Sequence, residues 1–212
     1  MIENHLAVLR TARYYTLGDL TEHTQSVWFC LHGYGQLAQY FGQKFMDLND
    51  CRTVVVVPEG LSRFYLNNEY KRMGASWQTR EDREHEIEDF TAYLNSLYDL
   101  VLSKSASTLR ITLLGFSQGA ATACRWVTNG HIRVDRLILW AGYFPDGLRN
   151  LIDTTRLTNV DTHYVYGNQD AYLLQLNREA YLARIKNDLP TITITEFNGV
   201  HTVDTNLLKK FI

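Results

Sequence analysis

The amino-acid sequence predicts an α/β fold, a mainly parallel, twisted sheet with helices on both faces. Short β-branched or aromatic runs alternate along the chain with longer amphipathic segments, the order that builds a parallel sheet through helical crossovers. One run, Val54-Val55-Val56-Val57, is apolar at every position, as a strand covered on both faces must be. With 212 residues, 45% of them hydrophobic, the chain suffices for one buried core, and a single domain over 1–212 is expected.

The first strand, over 12–17, is followed by the turn-like Gly18-Asp19-Leu20-Thr21 and reads as an antiparallel edge. A strand over 27–31 runs into the glycine-rich His32-Gly33-Tyr34-Gly35-Gln36, and a helix over 37–48 follows. The strand over 53–57 holds the valine run and reads as central. From Gly60 to Trp77 the chain lacks periodicity, and a long segment of that kind in a compact domain usually forms a functional wall or lid. Ile87, Phe90, Leu94, Leu97 and Leu102 fall near helical spacing and predict a helix over 82–102. Glu81, Asp82, Arg83, Glu84, Glu86 and Glu88 load its first turns with charge that suits the helix dipole and reads most simply as a solvated face. A strand over 110–116, a small-residue helix over 118–128, strands over 136–140 and 162–166, a helix over 173–187, a strand over 191–197 and a helix over 202–211 complete the alternation.

Composition removes several classes of function. Lys+Arg 21 against Asp+Glu 23 leaves a formal charge of -2 with no basic run, so no nucleic-acid partner is expected. Met1-Ile2-Glu3-Asn4-His5 lacks the basic start and apolar stretch of a secretory signal, and no run of about 18 apolar residues exists, so no membrane-spanning segment is expected and a cytoplasmic location is. Cys30, Cys51 and Cys124 are odd in number, form no C-x-x-C pair, and read as reduced thiols. His85-Glu86 begins an H-E-x-x-H pattern, but Asp89 stands where the second histidine would be. Neither a metal nor a cofactor is expected.

Gly115-Phe116-Ser117-Gln118-Gly119 carries the chemistry. It follows the predicted strand over 110–116 and precedes a small-residue helix, the context a G-x-S-x-G nucleophile elbow requires. The serine of such an elbow takes strained backbone angles, and residues two before and two after it must be small for strand and helix to approach. A serine hydroxyl is a weak nucleophile at neutral pH, so Ser117 needs a base and a group to orient that base. Reacting groups in open α/β sheets gather beyond the carboxyl ends of strands. Downstream of Ser117, His131 ends a helix and His163 lies inside a strand, whereas His201 follows one through Phe197-Asn198-Gly199-Val200. Asp170 follows the strand over 162–166 through Gly167-Asn168-Gln169; Asp146 follows the preceding strand and reads more simply as a turn acid after Pro145. Asp170 gives the chain order Ser, Asp, His that this elbow uses. For the oxygen that gains charge in acyl transfer, the backbone N–H groups of Gln118 and Tyr34 are the expected donors.

Leu31-His32-Gly33-Tyr34-Gly35, Gly115-Phe116-Ser117-Gln118-Gly119, the Gly167-x-x-Asp170 turn and the late His201 together resemble the phospholipase/carboxylesterase family of α/β-hydrolases, which includes acyl-protein thioesterases. The resemblance runs from about Val27 to the C-terminus. It implies an α/β-hydrolase fold, Ser117 as nucleophile, Asp170 and His201 as its partners, and Tyr34 and Gln118 as oxyanion amides. Gln36 stands where family members often have an acid, and Ala120 where they often have a second glycine; both departures bear on substrate preference.

Phe64 and Tyr65 in the 60–77 segment, and Tyr143 after the strand over 136–140, are expected to line a pocket for an acyl group or aromatic acid. Trp77 joins them because the family often carries a tryptophan shortly before its corresponding helix. Arg63, Lys71 and Arg72 offer charge for an anionic head group, but exposed basic residues in a loop read more simply as solvated cations. No cap domain is inserted between Trp140 and Asp170, so the site should be open. The sequence thus predicts a serine hydrolase acting on a small-molecule ester or thioester; a ligand-binding module on the same fold, without turnover, is the alternative.

Overall fold

The computed structural model describes residues 1–103 and 109–212. Its main sheet has seven strands in the order β1-β3-β2-β6-β7-β8-β9: β1 Tyr14–Leu17, β2 Ser26–Leu31, β3 Thr53–Pro58, β6 Arg110–Phe116, β7 Arg136–Trp140, β8 Asp161–Gly167 and β9 Thr193–Phe197. Only β1 is antiparallel, running against β3 with Tyr14 opposite Pro58; every other neighbouring pair is parallel. A separate antiparallel hairpin joins β4 Ser62–Tyr65 to β5 Met73–Ser76. The helices are α1 Ala38–Gly42, α2 Arg83–Leu102, α3 Gln118–Asn129, α4 Ala171–Leu174, α5 Arg178–Asp188 and α6 Thr205–Leu208.

Alternation along the strands divides the core in two. Val27, Phe29 and Leu31 of β2, Ile111 and Leu113 of β6, and Leu137 and Leu139 of β7 face the helices α2, α3 and α5. The intervening Trp28, Cys30, Leu114, Phe116, Ile138 and Trp140 face α1, the 3-10 turn Gln43–Leu48 and the C-terminal segment. A sheet buried on both faces needs strands apolar at nearly every position, and the inner strands meet that need. Among the described residues no helix is long and apolar enough to cross a membrane.

Five expectations are revised. The valine strand β3 is buried throughout but lies second from the edge, because the short β1 covers it. The segment over 60–77 is patterned after all, as the β4/β5 hairpin. The predicted helix over 37–48 is one short helix that tightens into a 3-10 turn after Gly42. The helix over 173–187 is two, because Asn177 stops the chain to cap α5, its side chain accepting from Ala180 N. The last helix begins only at Thr205, where the Asp204 carboxylate accepts from Leu207 N at 2.7 Å.

Glu59, just beyond β3, ties the edge of the molecule together. Its Oε1 accepts from Arg13 Nη2 at 2.7 Å and from Arg63 Nε at 2.8 Å, and its Oε2 from Ala38 N at 3.1 Å. One buried carboxylate thereby joins the chain before β1, the hairpin and the start of α1. Burial pushes this carboxyl up, but Arg63, Arg13 and the Ala38 amide outweigh it and hold the group below its ordinary value. Removing one partner of such a cluster strands the others, so Glu59→Ala should lower stability by roughly 2–3 kcal/mol, the half-exposed guanidiniums softening a fully buried loss. Urea unfolding checks this; a variant within about 0.5 kcal/mol of wild type, the range of neutral surface changes, contradicts it.

Candidate active site

The carboxyl ends of β2, β6, β7, β8 and β9 deliver the loops that make the site. At the end of β6, Ser117 has φ 54 and ψ -116, angles that an L-residue rarely adopts. The neighbouring packing imposes them. A Cβ on Gly115 would stand 2.2 Å from Gly119 O, and one on Gly119 would stand 2.3 Å from Leu31 O. Only glycine at both positions lets α3 leave the strand so sharply. Ser117 N donates to Trp140 O at 2.9 Å, fastening the turn to β7. The Gln118 side chain fastens it on the other side, its Nε2 donating to Gln78 O at 2.8 Å and its Oε1 accepting from Trp77 N at 3.0 Å.

Ser117 faces His201, with 2.9 Å between Oγ and Nε2. On the far side of the ring Nδ1 donates to Asp170 Oδ2 at 2.6 Å. These two contacts fix one tautomer: Nδ1 carries the proton and Nε2 accepts from the serine hydroxyl. Asp170 is only 1% exposed, and its second oxygen accepts from Tyr172 N at 3.0 Å, which caps α4. Both lone-pair faces of the buried carboxylate are therefore used. The loops carrying Asp170 and His201 are bound to each other, with Gln169 N donating to Gly199 O at 2.8 Å and Asn168 N to Phe197 O at 2.9 Å. That approach needs Gly167, where a Cβ would stand 2.3 Å from Gly199 O. Trp140 Nε1 donates to Thr202 O at 2.9 Å and anchors the His201 loop to β7.

The loop after β2 turns back toward the serine. Among the hydrogen bonds of the described residues, the Tyr34 amide has no acceptor, and the Gln118 amide begins α3, where no intrahelical acceptor exists. Two side chains hold this loop. Gln36 Oε1 accepts from Gly33 N at 2.8 Å, an acceptor role that a carboxylate oxygen would also fill. His32 is fully buried: its Nδ1 donates to Gly33 O at 2.8 Å while its Nε2 accepts from Gly60 N at 2.9 Å. Burial pulls this imidazole down to about 4.

The chain belongs to the phospholipase/carboxylesterase family. The family model, described as Phospholipase/Carboxylesterase, matches residues 19–211. Similar solved structures include Zea mays acyl-protein thioesterase 2, with 18% identity and a TM-score of 0.69 over 95% of this chain and 96% of that one. The Bacillus cereus carboxylesterase aligns with 17% identity and a TM-score of 0.65 over 94% and 91%. Arabidopsis thaliana SOBER1 aligns with 13% identity and a TM-score of 0.62 over 89% and 96%. At these identities the likeness is one of fold, the α/β-hydrolase fold. No curated protein matches the chain by sequence.

On this family fold the expected pocket residues separate. Phe64 stacks on the exposed Tyr34 ring at 5.0 Å, and Tyr65 meets Tyr70 edge-on at 5.0 Å, so the hairpin presents aromatic surface beside the loop after β2. Tyr143 is exposed on the opposite side, 6.4 Å from Tyr172. Trp77 requires a correction. It is 2% exposed, its Nε1 donates to His32 O at 2.8 Å, and its ring packs on Phe90, so it supports the site from inside the core and lines no open pocket. Tyr172 carries no distinguishing pattern in the sequence, yet its ring stands 4.8 Å from that of His201. Its position directly after the cap residue Asp170 was the available signal. Metal-ligand side chains meet once among the described residues, where exposed His5, Asp82 and His85 gather within 4.8 Å; none of them contacts Ser117, Asp170 or His201.

Two outcomes follow from this packing. Gly119→Ala forces a methyl group onto two carbonyl oxygens and should cost more than the roughly 1–3 kcal/mol of ordinary overpacking; a melting temperature equal to wild type contradicts the close approach. His32 stays neutral in the fold down to about pH 4 but takes a proton in the unfolded chain near its ordinary 6.5. The unfolded state therefore binds more protons between those values, and stability should fall as pH drops from about 6.5 to about 4, by roughly 3 kcal/mol from this group. Denaturant unfolding of wild type and His32→Asn across that range checks the sign, the variant losing this part of the slope.

Proposed function

We propose that the protein is a serine hydrolase that cleaves carboxylic esters or thioesters through an acyl-enzyme on Ser117. The observation that carries the reading is the unbroken hydrogen-bond chain from Ser117 Oγ through His201 to buried Asp170, mounted on a positive-φ turn. Membership of the phospholipase/carboxylesterase family supports the same class of reaction.

In this mechanism His201 Nε2 takes the Ser117 proton as Oγ attacks the carbonyl carbon. The carbonyl electron pair moves to oxygen, for which the N–H groups of Tyr34 and Gln118 are the proposed donors; one such donor is typically worth roughly 3 kcal/mol of transition-state stabilisation. Collapse of the tetrahedral species breaks the bond to the alcohol or thiol, which leaves with the proton from Nε2. Water then repeats the sequence: His201 accepts its proton, the hydroxide adds to the acyl carbon, and Ser117 Oγ leaves reprotonated as the free acid departs. Asp170 keeps Nδ1 protonated and stabilises the imidazolium at each step. Phe64, Tyr65 and Tyr143 offer apolar surface to the substrate on either side of the serine.

A fluorophosphonate probe should label wild type at Ser117, and Ser117→Ala should lower kcat for 4-nitrophenyl and thioester substrates by about 10⁴-fold or more. Unchanged turnover in that variant ends the reading. Asp170→Asn should leave the probe site in place but cut kcat by up to about 10⁴-fold, because an amide can hold the imidazole in the wrong tautomer.

A further inference from the structure

Beside the loop after β2 lies a cleft of about 500 Å³ whose walls are α1 with its 3-10 extension and the β4/β5 hairpin. Its floor is Gly35-Gln36, immediately after Tyr34. The hairpin rests on this floor closely enough that a Cβ on Gly74 would stand 2.5 Å from Gly35 O, and Gly33 approaches Ser117 so that a Cβ there would stand 3.1 Å from the serine Cβ. The cleft therefore opens from the same loop that flanks the candidate nucleophile. On its far wall Lys44 Nζ donates to Thr202 Oγ1 at 3.4 Å, next in sequence to His201.

The lining combines apolar side chains, among them Leu37, Leu66 and Met73, with three cations, Lys44, Lys71 and Arg72, and no carboxylate. Lys71 is paired with Glu69 at 3.0 Å. Among the described residues Lys44 and Arg72 have no carboxylate partner, whereas Arg63, the other cation of the hairpin, is taken up by Glu59. Two uncompensated cations from different elements thus converge on an apolar cleft in a chain whose net charge is -2. Solvation alone would not require them to share a concave wall free of acids.

We infer that this cleft binds the anionic end of the substrate, a carboxylate or phosphate monoester on a short apolar stem, with Lys44 and Arg72 as its counter-charges. The inference rests on the hydrolase reading for why a ligand lies there, and it specifies the substrate class as an ester or thioester bearing negative charge. A guanidinium grips an oxyanion through paired N–H donors, an ammonium acts as a point charge, and the stem covers the apolar lining.

Calorimetric titration of wild type with hexyl phosphate, hexanoate and hexanol tests this. At least one anion should bind about tenfold or more tightly than hexanol, as a charge-assisted contact predicts, and added salt should narrow the gap. The gap should close in the Lys44→Glu/Arg72→Glu double variant. A tighter phosphate points to a phosphorylated alcohol portion, a tighter hexanoate to an acyl group ending in a carboxylate, and equal affinities to the shared anion. Both side chains are exposed, so folding is checked by melting temperature. Arg72→Ser, which removes charge without adding any, should show a smaller loss in the same direction. Hexanol binding as tightly as both anions, or a preference that survives in the double variant, overturns the inference. Because binding is read without turnover, a protein that binds the anions but resists the fluorophosphonate contradicts the hydrolase reading alone. A labelled protein indifferent to charge contradicts this one alone.

Discussion

The whole site depends on how closely backbone can approach backbone around Ser117. Gly115 admits the start of α3 against β6, and Gly119 admits the same helix against the carbonyls of Leu31 and His32. Replace either and the helix must back away, taking with it the Gln118 amide and the distance between Ser117 and the loop after β2. The serine itself sits in a sparsely populated backbone region, a cost of order 1–3 kcal/mol that the surroundings must meet. They do so through the Ser117 N–H on Trp140 and the double clasp of the Gln118 side chain on residues 77 and 78.

A second close approach, Gly167 against Gly199, does for Asp170 and His201 what the elbow does for Ser117. It sets the β8 and β9 loops side by side, so that the buried carboxylate of Asp170 finds both the Tyr172 amide and the His201 ring. An ionised group removed from water is tolerable only with such partners. Deeper in the molecule, His32 and Glu59 solve the same problem differently. His32 stays neutral and acts as a donor–acceptor bracket, while Glu59 stays charged because two guanidiniums come to it.

Much of this was legible in the sequence where local chemistry and tertiary need coincide. The glycines flanking Ser117, the valine strand, and His201 and Asp170 placed after strands all announce themselves by residue type and order. The hairpin over 62–76 did not, because its strands have only four residues each and its faces are mixed, so period-two alternation never accumulates. Trp77 misled for a related reason: a large aromatic after an irregular segment suits a pocket wall and a core plug equally, and only the His32 carbonyl beneath it decides. Lys71 and Arg72 read as solvated in the sequence because charge alone does not reveal concavity. It takes Lys44, from another element, to turn surface cations into a lined cleft.

The central claim is that Ser117 carries the acyl group in a relay with His201 and Asp170, and rapid-quench mass spectrometry during thioester turnover tests it most directly. The account predicts a transient acyl adduct on the peptide containing Ser117 that forms and decays fast enough to sustain turnover and is absent from Ser117→Ala. Sustained turnover with no adduct at Ser117, or with the acyl group on another residue, would contradict it.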